Sequence, residues 1–186
     1  MQEIFFKILM VGPKGAGKSS LLHYTTNCEF DPTITPTAGT DFCIKKAGRV
    51  DGVKEIKFQI WDLAGSKTFQ NISKAYFSEA KACIFVVDKT RPTTFDTEGW
   101  NECLWGWETQ NPNENIEFCL IALNKADLGN GIAIRNKSLR DTSLKWVKDK
   151  EIPIIETSAK TGQGIDDLFA LLTNMLIYRE HLKLEH

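Results

Sequence analysis

The sequence lacks every arrangement of cysteine that builds a metal or disulfide site. Its five cysteines, Cys28, Cys43, Cys83, Cys103 and Cys119, form no C-x-x-C pair, their number is odd, and no histidine cluster joins them. A zinc site and a disulfide framework are both disfavoured, and reduced thiols of a cytoplasmic protein are the simpler reading. Charge of one sign is also missing. A net charge of -1 gives no reason to expect nucleic acid or an acidic substrate. No apolar run reaches the length of a transmembrane helix. Met1-Gln2-Glu3-Ile4 has no basic n-region and leads straight into a core-like strand, unlike a signal peptide. No internal repeat, low-complexity tract or linker interrupts the chain, so one domain is expected over 1–183. Residues 184–186, read with Lys183, resemble a cloning remnant ahead of a truncated affinity tag and are set aside. With such an ending, the absence of a lipidation signal carries no weight.

What is present is an alternation of strand and helix in a chain of 186 residues, 42% of them hydrophobic, enough for a sizeable core. Apolar, β-branched runs at Ile4–Val11, Ile56–Trp61, Ala82–Asp88, Phe118–Asn124 and Ile152–Thr157 predict buried strands. Amphipathic stretches predict helices over Lys18–Thr26, Thr68–Ala80, Phe95–Thr109, Ser138–Lys150 and Ile165–Arg179. In the last, Ile165, Leu168, Phe169, Leu172 and Leu176 recur at helical spacing, and packing on the sheet explains them better than a partner surface does. An extra strand over Thr40–Lys46, turning at Arg49–Gly52, would lie antiparallel at an edge. The pattern as a whole is α/β, a mostly parallel sheet with helices on both faces. Trp100, Trp105 and Trp107 fall on one predicted helix. Trp100 and Trp107 share a face, which either packs on the core or offers a partner contact.

Gly12-Pro13-Lys14-Gly15-Ala16-Gly17-Lys18-Ser19 fits G-x-x-x-x-G-K-[ST] between a predicted strand and a predicted helix. Glycines let backbone N–H groups turn inward as an anion nest, and the helix N-terminus adds partial positive charge. Lys18 can reach β- and γ-phosphates, and the Ser19 hydroxyl can bind Mg²⁺. Lys14 either points to solvent or lies near the γ-phosphate. A chance Gly-rich turn is the alternative, and the strand–loop–helix context argues against it.

A phosphate loop alone serves adenine and guanine nucleotides equally. Asn124-Lys125-Ala126-Asp127, at the C-terminal end of a predicted strand, discriminates between them. A carboxylate at Asp127 accepts from guanine N1–H and the 2-amino group, donors that adenine lacks, and such a site rejects the wrong analogue strongly. Asn and Asp also mark ordinary turns, so position after a strand and downstream of the phosphate loop is what gives this motif its weight. Glu156-Thr157-Ser158-Ala159-Lys160 follows the next strand, and its short residues would let a backbone N–H approach guanine O6. A strand-to-helix turn through Gly162 and Gly164 is compatible with that role.

With these motifs in place, the sequence resembles the Ras superfamily, and within it the Rab branch, over roughly Phe6 to Arg179. The resemblance implies a P-loop NTPase fold, a six-stranded sheet with one antiparallel edge strand. It implies that Gly15, Ala16, Gly17, Lys18, Ser19 and Ser20 hold phosphates, that Ser19 and Thr37 ligate Mg²⁺, and that Asp62 in Trp61-Asp62-Leu63-Ala64-Gly65 holds the metal through water. The Gly65 N–H would touch the γ-phosphate and Phe30 would lie against the guanine. Asn124, Lys125, Asp127, Ser158, Ala159 and Lys160 would form the base pocket. Thr37 is preferred to Thr33 and Thr35 because Pro36-Thr37-Ala38-Gly39-Thr40-Asp41-Phe42 is similar to the Rab-type switch segment.

The sequence departs from the family where hydrolysis is concerned. Ser66 stands where most members carry the glutamine that orients the attacking water. Ile34 replaces an aromatic residue that often covers the phosphates, Leu63 replaces a threonine, and Gln70 is a distant substitute for the missing amide. Lys18, Thr37, Gly65 and Ser66 are thus the candidates for catalysis. The expected function is a GTP/GDP switch, Rab-like, with slow GTP hydrolysis, plausibly in vesicle trafficking. The alternative is a GTP-loaded scaffold subunit with little turnover, and an ATPase or kinase is disfavoured by Asp127. Effector, exchange and GTPase-activating proteins would engage the segments around Thr37 and Ser66. The molecule would be a cytoplasmic monomer, peripheral on a membrane only through a tail not present here.

Overall fold

The computed structural model describes residues 2–50, 54–66, 74–91, 116–129 and 152–184. Among these the chain forms six strands, β1 (Gln2–Val11), β2 (Thr40–Val50), β3 (Lys54–Leu63), β4 (Ala80–Asp88), β5 (Phe118–Asn124) and β6 (Ile154–Glu156). Two helices accompany them, α1 (Lys18–Asn27) and α2 (Ile165–Leu184), with short 3₁₀ turns at Lys74–Tyr76 and Ala126–Leu128. The strands make one sheet in the order β2-β3-β1-β4-β5-β6. All neighbours are parallel except β2 and β3. The antiparallel edge strand and the parallel remainder are as the sequence pattern predicts.

Successive residues of a strand point to opposite faces, and in β1 both faces are apolar. Ile8 and Met10 join a core cluster with Leu21 and Leu22 of α1 and with Ile165, Leu168, Phe169, Leu172 and Leu176 of α2. The helical stripe of α2 therefore packs on the sheet. Leu9 and Val11 face the other way, into a second cluster with Leu63, Phe85, Val87, Ile121 and Leu123. Burial on both faces is why β4 reads as a continuous apolar run rather than an alternation. Each fully buried side chain of this kind, Phe58 or Phe85 for example, contributes about 1.5–3 kcal/mol relative to exposure.

Some element boundaries differ from the sequence pattern. Ala80 opens β4 rather than closing a helix. Glu79 adopts a left-handed backbone, φ 64°, which no helix continues through, and the Ala80 N–H turns back to the Phe77 carbonyl at 3.1 Å. The last strand is shorter than Ile152–Thr157. Pro153 has no N–H to give the ladder, although its carbonyl still accepts from Ile121 at 2.9 Å. β2 runs on to Val50 and carries an irregularity between Lys46 and Gly48. α2 continues past Arg179 to Leu184. The helices expected over Phe95–Thr109 and Ser138–Lys150, with Cys103, Trp100, Trp105 and Trp107, lie outside the described residues, as do Gln70, Gly52 of the expected turn, and residues 68–73 of the Thr68–Ala80 stretch. No helix among the described residues is long and apolar enough to cross a membrane.

Candidate functional site

The parallel strands deliver their C-terminal ends to one rim of the sheet, where α/β folds bind ligands. The loop after β1 wraps into α1 there. Gly17 stands at the helix N-cap with φ 91°, and no acidic residue occupies the first turn. The α1 amides are therefore left for an anion. A side chain at Gly17 would run into the Asn124 amide, so the close approach of the two loops requires glycine. Lys18 is 5% exposed, and its ammonium donates to the Gly12 and Pro13 carbonyls at 2.9 and 3.0 Å. These are its own loop's oxygens, a resting position from which it faces the cleft.

β5 ends at Asn124, which is buried and fully engaged. Its amide donates to the Ala16 carbonyl at 3.0 Å, and its oxygen accepts from the Ala159 N–H at 3.1 Å. Asn124 thus braces the phosphate loop and the loop after β6 at once. Lys125 lies across the phosphate loop, donating to the Gly15 carbonyl at 2.8 Å and to Asp88 at 2.7 Å. Asp127 accepts a 2.6 Å bond from the Ser158 hydroxyl, which in turn receives the Thr161 N–H at 3.2 Å.

On the opposite side three oxygens converge. The Ser19 hydroxyl donates to Asp62 at 2.5 Å and lies 2.7 Å from the Thr37 hydroxyl, which is 3.3 Å from the same carboxylate oxygen. The other carboxylate oxygen of Asp62 is buried and has no hydrogen-bond partner. Burial pushes the Asp62 carboxyl above its ordinary value, against the opposing pull of the Ser19 hydrogen bond, the Lys18 charge and Thr37. One carboxylate and two hydroxyls are a hard, all-oxygen donor set of the kind Mg²⁺ takes together with phosphate and water oxygens, so the residues fit that ion. No cluster of three His, Cys, Asp or Glu side chains exists among the described residues. Cys43 nearby is no nucleophile, since burial pushes its thiol up to about 11.

Between these two sides lies a cleft of about 650 Å³. The expected residues Gly15, Gly17, Lys18, Ser19 and Ser20 line it, as do Phe30, Thr37, Gly65 and Ser66. Asn124, Lys125, Asp127, Ala159 and Lys160 also line its wall. Ala16, Asp62 and Ser158 are among the buried residues behind that wall and act through the hydrogen bonds just described or, for Ala16, through its carbonyl. Thr35 also lines the cleft but makes none of the metal-side hydrogen bonds that Thr37 makes. Gly65 is pressed against the phosphate loop, where an added Cβ would come within 2.6 Å of both the Lys14 nitrogen and the Lys18 ammonium.

Two features escaped the motif reading. Asp88 ends β4 directly beside Asn124 and gathers Lys125, the Thr90 N–H and hydroxyl, and the Arg91 guanidinium. Burial raises its carboxyl, but the hydrogen bonds from Lys125 and Thr90 outweigh that and leave it below the ordinary carboxylate value. A buried strand ending in Asp before Lys-Thr-Arg was the available signal. The second is an aromatic row on the edge hairpin. Phe42 and Trp61 are register partners with centroids 4.8 Å apart, and Trp61 and Tyr76 follow at 5.1 Å. Period-two alternation in both strands placed these rings on one face.

A mostly parallel α/β sheet whose first strand runs through Gly-Pro-Lys-Gly-Ala-Gly-Lys-Ser into a helix, and whose fifth strand ends in Asn-Lys-Ala-Asp, has the form of a P-loop nucleotide-binding protein. Comparison with known proteins narrows the class. The Ras family profile matches residues 7–178. The Ras-related protein Rab-26 of Bos taurus is 33% identical over 178 residues, which are 95% of this chain and 66% of that protein. The chain therefore spans just under two thirds of the length of the relative it matches. The chain belongs to the Ras family and is Rab-like within it.

Proposed function

We propose that the protein is a guanine-nucleotide switch that binds GTP and GDP with Mg²⁺, hydrolyses GTP slowly, and serves as a Rab-type regulator in membrane trafficking. The observation that supports this most directly is a single cleft lined by the phosphate loop, Ser66 and Asp127, the last held by Ser158. In this reading Asp127 accepts from the guanine N1–H and 2-amino group, a backbone N–H of the Glu156–Lys160 run approaches O6, and Phe30 covers a ring face. Lys18 leaves its own loop's carbonyls for the β- and γ-phosphates. Mg²⁺, when bound, neutralises charge on the β- and γ-phosphate oxygens. Ser19 and Thr37 supply hydroxyl oxygens to it, and Asp62 acts through water. The Gly65 N–H marks the terminal phosphate, so Thr37 and Gly65 are held inward only while that phosphate is present. This difference is the basis of a switch.

Phosphoryl transfer is catalysed mostly by positioning and charge stabilisation. Ser66 has no amide to orient the attacking water, and the rate falls accordingly while binding does not. Partners would read the segments around Thr37 and Ser66. The adjoining row of Phe42, 42% exposed, with Trp61 and Tyr76 is an apolar surface suited to them.

The test is mass spectrometry of the nucleotide that copurifies, followed by multiple-turnover hydrolysis with and without cell extract. GDP or GTP in the preparation with slow, extract-stimulated turnover is the expected result. GTP retained without turnover under either condition favours the scaffold alternative. An adenine nucleotide would remove the guanine reading altogether.

A further inference from the structure

Four cations stand around the phosphate loop, and three of them are tied down. Lys18 rests on the Gly12 and Pro13 carbonyls, Lys125 on the Gly15 carbonyl and Asp88, and Arg91 on Asp88. Lys14 is different. Its side chain is exposed and lines the cleft, and no ion pair or side-chain hydrogen bond engages it among the described residues. Its backbone nitrogen and the Lys18 ammonium approach one point beside Gly65, each within 2.6 Å of a Cβ built there. Lys14 therefore springs from the corner where the phosphate loop, the Lys18 ammonium and Gly65 meet. Ser66, the residue after Gly65, lines the same cleft.

We propose that Lys14 is a specificity-determining residue that places a second ammonium on the terminal phosphate and so favours the triphosphate over the diphosphate. The inference rests on the reading of the cleft as a guanine-nucleotide site. A lysine ammonium is a compact point charge on a flexible stem, suited to an anion whose oxygens are spread over one end of a cleft. The terminal phosphate is the only part of the ligand that differs between the two nucleotides, so a contact confined to it appears as discrimination. The contact exists before the bond breaks. It therefore tightens binding of the triphosphate, and with slow hydrolysis at Ser66 it prolongs the GTP-bound form.

The test uses the full chain with Mg²⁺ and measures dissociation constants for GTP and GDP in wild type, Lys14→Met and Lys14→Arg. Removing one charge-assisted contact should weaken GTP roughly tenfold in Lys14→Met and leave GDP nearly unchanged. Lys14→Arg, which keeps the charge, should recover most of the GTP affinity. Equal weakening of both nucleotides, or no change in either, would overturn the proposal. A wild type that binds guanine nucleotides with the same affinity ratio as Lys14→Met defeats the Lys14 role alone. A wild type that binds no guanine nucleotide defeats the reading of the cleft as well.

Discussion

The side-chain amide of Asn124 donates a 3.0 Å hydrogen bond to the carbonyl of Ala16, 108 residues away in sequence. Through it the loop that meets the phosphates and the strand end that carries Asp127 move as one piece. Replacing Asn124 by Ala leaves the Ala159 N–H, behind a buried residue 1% exposed, without its acceptor. The Ala16 carbonyl loses its donor as well. Unsatisfied buried groups cost about 1–3 kcal/mol each, so Asn124→Ala should lower the stability of the nucleotide-free protein by roughly 2–4 kcal/mol, measured by denaturant unfolding. A loss well under 1 kcal/mol would show that the two loops hold their places without this brace.

Asp127 has a different weight. Among the described residues only Ser158 is seen to donate to it, so Asp127→Asn should cost little stability. It should change base choice instead, weakening guanosine diphosphate and favouring xanthosine diphosphate, because the acceptor for guanine N1–H becomes a donor. Competition between the two nucleotides measures this, and an unaltered preference for guanine would count against the assignment of the base pocket.

Asp62 and Asp88 should respond to acid in opposite directions. Asp62 is raised, chiefly by burial, so the folded protein holds that proton more readily than the unfolded chain. Its contribution is a penalty at neutral pH that is relieved as pH falls through the raised folded value toward the ordinary one. Asp88 is lowered on balance, hydrogen bonds overcoming burial. Its contribution is present above the ordinary carboxylate value and disappears as pH falls through the depressed folded value. Asp62→Asn should therefore raise the melting temperature of metal- and nucleotide-free protein at neutral pH while abolishing the Mg²⁺ dependence of GTP binding. Asp88→Asn should lower the melting temperature at neutral pH, with the deficit shrinking under acid. Thermal melts across the acidic range compare all three proteins. A lower melting temperature for metal-free Asp62→Asn would mean that its hydrogen bonds with Ser19 and Thr37 outweigh its desolvation.

Ser66 sets the rate prediction. A missing preorganised transition-state contact typically costs about 10²-fold or more, so the wild type should hydrolyse GTP slowly. Ser66→Gln should raise the single-turnover rate several-fold, with little change in GTP affinity. A fast wild type that the substitution leaves unaltered would transfer the role of positioning water to another residue, Gln70 first.

The site was legible in the sequence where its chemistry is contiguous. The phosphate loop, Asn124 to Asp127, and Ser158 to Lys160 each fall in a short run after an apolar strand, and the fold brings those runs to one rim because parallel strands share a direction. The mostly parallel sheet and its antiparallel edge followed from alternation and one short connection, whereas the strand order did not. What was not legible depends on pairs distant in the chain. Asp88 matters because strand register sets it beside Asn124, and Phe42 matters because register sets it against Trp61. A boundary was missed at Ala80, since helical spacing continued past a residue, Glu79, whose backbone turns left-handed. Side-chain pattern does not report that conformation.

The irregularity between Lys46 and Gly48 lies on β2, the outermost strand at its end of the sheet. Gly48 has φ 131°, and nothing stands within 4 Å of where its Cβ would be. A bulge there twists the strand's free edge and offsets its donors and acceptors, and the exposed Lys46 beside it puts charge where a second molecule would have to lie. An edge shaped in this way is a poor template for strand addition. The protein should therefore tolerate high concentration without growing into fibrils, even though exposed Phe42 and Ile44 sit on the same strand.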